Sequence, residues 1–263
     1  MNKLTEIINN IELDWSNTFI QWESGSPLEY SFDIHPVTFL KFAYKDLQNR
    51  DNYGIVNAVT NAKRAIDCEV DRFITSIGYT PDKLPKNARD FNKRYNQLYG
   101  SVEVPQKFQL LRSLGIAPIT LISKIREIRH LLEHQYQLPK ESEAAEAVEI
   151  AELFICAVDY SLNNFRDMVS IFDNEKELHE GHHTDALLLN YDDGAFTFIG
   201  YKNKKQINEI NDIIIKNTDS LFLETLRFVF AVGTDRNIDF ALWDFLHAAE
   251  IDIQQNMVIT KSI

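Results

Sequence analysis

The stretch GIVNAVTNAKRAIDCEVDRFITSIG, residues 54–78, constrains the fold of this chain more than any other. Val56, Val59, Ala62, Ile66, Val70, Phe73 and Ile77 recur there at steps of three and four residues. That is the period of a helix; a half-buried strand would alternate every second residue. A stripe this long must be covered by other elements, so the helix requires packed neighbours. Gly78 follows as a left-handed cap, a conformation glycine reaches without a Cβ penalty.

The same period runs from about Pro36 to Phe172. PVTFLKFAYKDLQNR opens with Pro36 at a permitted first-turn position. NARDFNKRYNQLYG and VPQKFQLLRSLG read as shorter helices, the second stopped by Gly115. A helix beginning at Pro118 carries the stripe Leu121, Ile125, Ile128 and Leu132. After the turn QYQLP a second long helix is expected from Glu141 to about Phe172, with Glu141 and Glu143 at the positive end of its dipole. Two long helices joined by so short a turn pack as an antiparallel pair.

Beyond Asp173 the texture changes. ALLLNY and AFTFIGY flank Asp192-Asp193-Gly194, which reads as a hairpin, and INEINDIIIK offers a third strand. DSLFLETLRFVFAVG and NIDFALWDFLHAAE read as helices, although the first is aromatic enough for a strand. The expected architecture is mainly α: an N-terminal extension over residues 1–35, a helical bundle over 36–173 and a smaller α+β domain over 182–263.

No stretch is apolar for the roughly 18 residues that a bilayer span needs, so a cytoplasmic protein without a membrane association is expected. Cys68 and Cys156, the two cysteines of the chain, fall inside amphipathic helices and read as small buried apolar groups rather than a disulfide. The formal charge of -12 opposes unselective coating of a polyanion. One segment nonetheless turns basic, through Lys83, Lys86, Arg89, Lys93, Arg94, Lys107 and Arg112, with Tyr95 and Tyr99 interleaved. It reads as a solvated face or as a surface that tracks phosphates.

Two histidine patterns compete for chemistry. His179-Glu180-Gly181-His182-His183 formally matches the zinc-protease spacing H-E-x-x-H. A glycine breaks the helix that this spacing needs and no third ligand announces itself, so a polar linker is expected and no metal site. His35 and His247 read as helix-flanking or packed imidazoles. The second pattern, KIREIRHLLEHQYQLP, places Arg126, His130 and His134 at successive steps of four, nearly opposite the apolar stripe and flanked by Arg129 and Glu133. Arg129 can pair with Glu133 at i,i+4, and basic groups favour the end of a helix dipole.

The helix-turn-helix RHLLEHQYQLPKESEAAEAVEIAELF resembles the HEPN superfamily of helical bundles, whose R-x(4-6)-H motif often has a polar residue after the arginine. The match is Arg129, His130 in the polar position, and His134. The similar region spans about Pro36 to Phe172. The resemblance implies an endoribonuclease that needs neither metal nor cofactor and that acts on RNA as a homodimer, often in toxin-antitoxin or phage-defence systems with an antitoxin or other defence partner. Arg129, His134 and His130 would be catalytic, and Arg126, Lys93, Arg94 and Tyr95 would bind substrate.

The residue types suit that reaction. Cleavage of RNA without a metal requires a base at the 2′-hydroxyl, an acid at the leaving 5′-oxygen and a cation on the phosphorane oxygens. Histidine, with an ordinary pKa of about 6.5, serves either proton transfer, and arginine's fork grips phosphate without deprotonating. Residues five apart on a helix point about 140° apart, so a second copy of the chain would help complete the site. A non-catalytic module that binds nucleotide, RNA or a protein, and a plain helical scaffold, are the alternative readings.

Overall fold

A computed structural model describes residues 3–172, 185–209, 213–257 and 260–262. The chain is mainly helical with a β-sheet, and it divides into two compact units. One is Leu28–Leu162; the other joins Met1–Pro27 to Asn163–Ile263.

The Leu28–Leu162 unit is helical. It contains α2 (Pro36–Leu47), α3 (Asn52–Ser76), α4 (Lys86–Tyr99), α5 (Gln106–Ser113), α6 (Thr120–Gln135) and the body of α7 (Glu141–Asn163). His35 caps α2, its Nδ1 accepting from the Val37 N–H at 3.4 Å. The Asp51 carboxylate accepts from the Gly54 N–H at 2.7 Å and starts α3 two residues earlier than the apolar period indicates. Val59, Ala62, Ile66, Val70, Phe73 and Ile77 are fully buried, and Gly78 takes φ +80° after the helix.

Glu69 and Arg72 interrupt this core with charge. The Arg72 guanidinium donates to both Glu69 oxygens, at 3.0 and 2.6 Å, and also to Asp159 of α7. Burial pushes the Glu69 carboxyl up to about 7 despite Arg72. Neither cysteine packs as expected: Cys156 is exposed on α7, and Cys68 is half-buried, its thiol raised to about 11 mainly by burial. The outer face of α7, with Glu149, Glu152, Leu153 and Tyr160 also exposed, carries Cys156 toward solvent.

The second helix of the expected pair is shorter than its apolar count implied. α7 stops at Asn163, and Met168–Phe172 forms strand β2. Val169 and Phe172 follow Phe165 at helical steps of four and three, but in Val-Ser-Ile-Phe they lie on opposite faces of a sheet. A short apolar run satisfies both periods, and pairing decides between them.

That pairing also changes the domain boundaries. The first residues are not a separate extension: α1 (Lys3–Ile11) and β1 (Thr18–Ser24) belong to the same unit as the C-terminal segment. β1 pairs antiparallel with β2, β2 with β3 (Ala186–Asp192), and β3 with β4 (Ala195–Lys202). β5 (Lys205–Gln206) and β6 (Ile214–Lys216) pair with β4, and β7 (Thr260–Ser262) lies parallel to β1. The β3–β4 turn is the expected hairpin, with φ +42° at Asp193 and +77° at Gly194.

α8 (Phe222–Thr234) and α9 (Ile238–Ala248) pack together, α8 also meets β1 and β4, and α1 meets β3 and β4. The aromatic segment that could have been a strand is therefore helix α8. Phe196 meets Phe222 at 5.5 Å, and Phe198 stacks on Phe245 at 5.9 Å. Arg227 and Asp244 form a buried ion pair between α8 and α9. His247 stacks on Trp243 with ring centroids 5.0 Å apart. Among the described residues no helix is long and apolar enough to cross a membrane.

Candidate functional site

α6 is anchored through one side. Ile122, Ile125 and Ile128 are buried, while Leu132 is only half-buried, and the helix packs against α3. The side chain of Leu121 lies outside the described residues. The helix stays regular through Gln135, where Tyr136 enters the left-handed region at φ +56° and the Gln137 N–H closes on the Leu131 carbonyl at 3.2 Å. Arg129 and His134 thus project from unbroken helix, and no unwinding brings them together.

What remains of α6 lines an open groove of about 540 Å³. Arg126, Arg129, His130 and His134 all contribute to it, beside Ser123, Glu127 and Glu133 of the same helix, Lys63 of α3 and Glu103. The structure therefore brings together four of the residues singled out from sequence. Lys93, Arg94 and Tyr95 are not among the lining residues. They sit on α4, where Tyr95 packs on Tyr99 at 4.7 Å and receives the Arg112 guanidinium over its ring at 5.3 Å. The basic appearance of that segment is thereby partly spent on local packing.

Within the groove, Arg129 Nε donates to the Glu133 carboxylate at 2.7 Å. The Arg129 side chain is 35% exposed and Glu133 43%, so the pair is a solvated i,i+4 contact of small energetic weight. His130 and His134 also stand one turn apart, their ring centroids separated by 4.8 Å and their planes by 49°. Both imidazoles face solvent and are accessible to a ligand. The groove carries three basic side chains, Lys63, Arg126 and Arg129, against the carboxylates of Glu103, Glu127 and Glu133.

Lys63 was not singled out from sequence. It is buried at 8% exposure, pairs with Asp67 one turn along α3, and lies 5.8 Å from the Phe108 ring centroid. Burial holds its ammonium below the ordinary lysine range, against the attraction of Asp67, and the charges of Arg129 and Lys107 push the same way. The available signal was a lysine beside Ala62 inside the apolar run of α3. Glu103 carries no comparable pattern, because its place in the groove arises from tertiary packing.

Among the described residues no three His, Cys, Asp or Glu side chains gather as a metal-binding set. The His179–His183 run lies outside the described residues, as does the expected joint between domains over 174–181. No protein-family model, curated protein sequence or solved structure matches this chain.

Proposed function

We propose that this protein is a HEPN-type endoribonuclease whose active groove is built on α6. The observation that carries this reading is the convergence of Arg126, Arg129, His130 and His134 on one solvent-open groove. Its volume of about 540 Å³ lies within the range of small-molecule sites and leaves room for a nucleotide unit.

In the proposed reaction an imidazole takes the proton of a ribose 2′-hydroxyl, and the 2′-oxygen attacks phosphorus. The bond from phosphorus to the 5′-oxygen breaks, and an imidazolium protonates the leaving oxygen. The products are a 2′,3′-cyclic phosphate and a 5′-hydroxyl. Arg129 neutralises the phosphorane oxygens, and His134 transfers a proton. His130 supports it, and Arg126 holds an adjacent phosphate.

Base and acid must stand on opposite sides of phosphorus for in-line displacement. Rings only 4.8 Å apart on one helix do not leave space for that arrangement. A second copy of the chain, contributing its own α6, supplies the opposite group, so the reading includes a homodimer. A role in defence or toxin-antitoxin biology, with a protein partner that restrains the groove, follows only from the motif's resemblance.

The test is cleavage of single-stranded RNA in EDTA by wild type, Arg129→Ala and His134→Ala. Cyclic-phosphate ends from wild type, resistance of DNA, and a loss of about 100-fold or more in each variant are expected. Equal cleavage by all three proteins defeats the reading. The second reading, binding without cleavage, is favoured by the engagement of Arg129 with Glu133. It predicts that wild type retains RNA intact and that Arg129→Ala releases it.

A further inference from the structure

This inference rests on the reading of the α6 groove as a phosphodiester site. We infer that the Lys63 ammonium is a phosphate-binding group of that groove, forming with the Arg129 guanidinium a two-cation cradle for one RNA phosphodiester.

Its place in the fold is the first argument. Lys63 is the lining residue that α3 contributes, whereas Arg126, Arg129, His130 and His134 all come from α6. A phosphate held only by α6 would be gripped from one wall. An ammonium on α3 contacts it from another, which fixes its position as well as its charge. The two side chains differ in kind: guanidinium offers a planar fork, and ammonium a compact charge with three donors.

The second argument is cost. Ala62 and Ile66, next to this position along α3, are fully buried, and the Phe108 ring faces it. An apolar residue would fit there without desolvating a charge. A same-helix partner such as Asp67 does not require burial, because lysine and aspartate pair equally well on a solvated surface. Lys63 is further disfavoured by the positive charge of Arg129. Two cations that repel each other across one groove are both stabilised when an anion enters between them.

Preorganisation is the third. The Lys63 side chain is only 10% exposed, so its stem is already ordered. An ordered lysine loses less rotamer freedom on binding than a surface one. Asp67, one turn along α3, pairs with the ammonium and limits the positions it samples.

The experiment measures binding of a fluorescein-labelled 2′-O-methyl RNA 12-mer, which cannot cleave itself, by wild type, Lys63→Met, Lys63→Arg and Arg129→Ala over a salt series. Lys63→Met should weaken binding about tenfold and reduce the slope of log K against log salt by about 0.7, the loss of one single-strand phosphate contact. Lys63→Arg should stay within about threefold of wild type, since it retains the charge. On unmodified RNA the Lys63→Met effect should fall on KM more than on kcat. Wild-type affinity and slope for Lys63→Met, with binding lost in Arg129→Ala, overturns the role of Lys63 and leaves the groove standing. No change in either variant overturns the groove as well. Should Lys63→Met fail to fold by thermal melting, wild type labelled at lysine 13Cε decides. The resonance absent from Lys63→Arg must shift when the 12-mer is added, and a stationary resonance overturns the inference.

Discussion

The Nε of Arg129 donates to the Glu133 carboxylate at 2.7 Å, so the guanidinium proposed to bind phosphate already holds an anion from its own helix. Because both side chains are solvated, breaking this contact should change stability by no more than about 0.5 kcal/mol. Glu133→Gln removes a negative charge from the groove and frees the guanidinium fork. RNA affinity should rise about threefold, measured by fluorescence anisotropy at fixed salt. A fall in affinity would mean that Glu133 orients Arg129 instead of competing with its ligand.

Glu69 predicts an unusual pH dependence. Its carboxyl is raised to about 7 in the folded protein, from an ordinary value of 4.5, chiefly by burial. The folded state therefore binds a proton that the unfolded state has released between these values. Its stabilising contribution is full below about pH 4.5 and is lost as pH rises through 7. Glu69→Gln cannot ionise. Between pH 5 and 8, wild type should lose on the order of 2 kcal/mol relative to this variant, read from urea unfolding at each pH. Parallel pH profiles for the two proteins would show that Arg72 fully compensates the buried charge.

Gly233 lies in α8, where a helix normally gains from alanine. A Cβ built there falls 1.9 Å from the carbonyl oxygen of Asn164, a backbone atom that cannot rotate away. Gly233→Ala should destabilise by about 2 kcal/mol, the overlap outweighing the roughly 1 kcal/mol of helix propensity gained. At Gly200 the nearest obstacles are side-chain atoms, Cγ2 of Ile7 and Cγ1 of Ile207, at 2.7 and 3.0 Å. Gly200→Ala should therefore cost less, and urea midpoints in the opposite order would contradict this packing.

The local sequence determined the helices of the Leu28–Leu162 unit, the β3–β4 turn and the polar face of α6, because period, caps and turn chemistry act within a few residues. It also placed Arg126, Arg129, His130 and His134 on one helix, where their groove later appears. Tertiary structure alone decided the rest. Trp22 pairs with Val169, so β2 became a strand and the first residues joined the C-terminal unit through a partner that local pattern does not name. The burial of Lys63 and the arrival of Glu103 likewise depend on which helices meet. Tyr95 of α4 went to local packing, since Arg112 reaches it from the neighbouring helix, while Lys93 and Arg94 stay exposed outside the α6 groove. Intrinsic propensity acts along the chain, whereas a cleft and a sheet partner exist only after distant segments have packed.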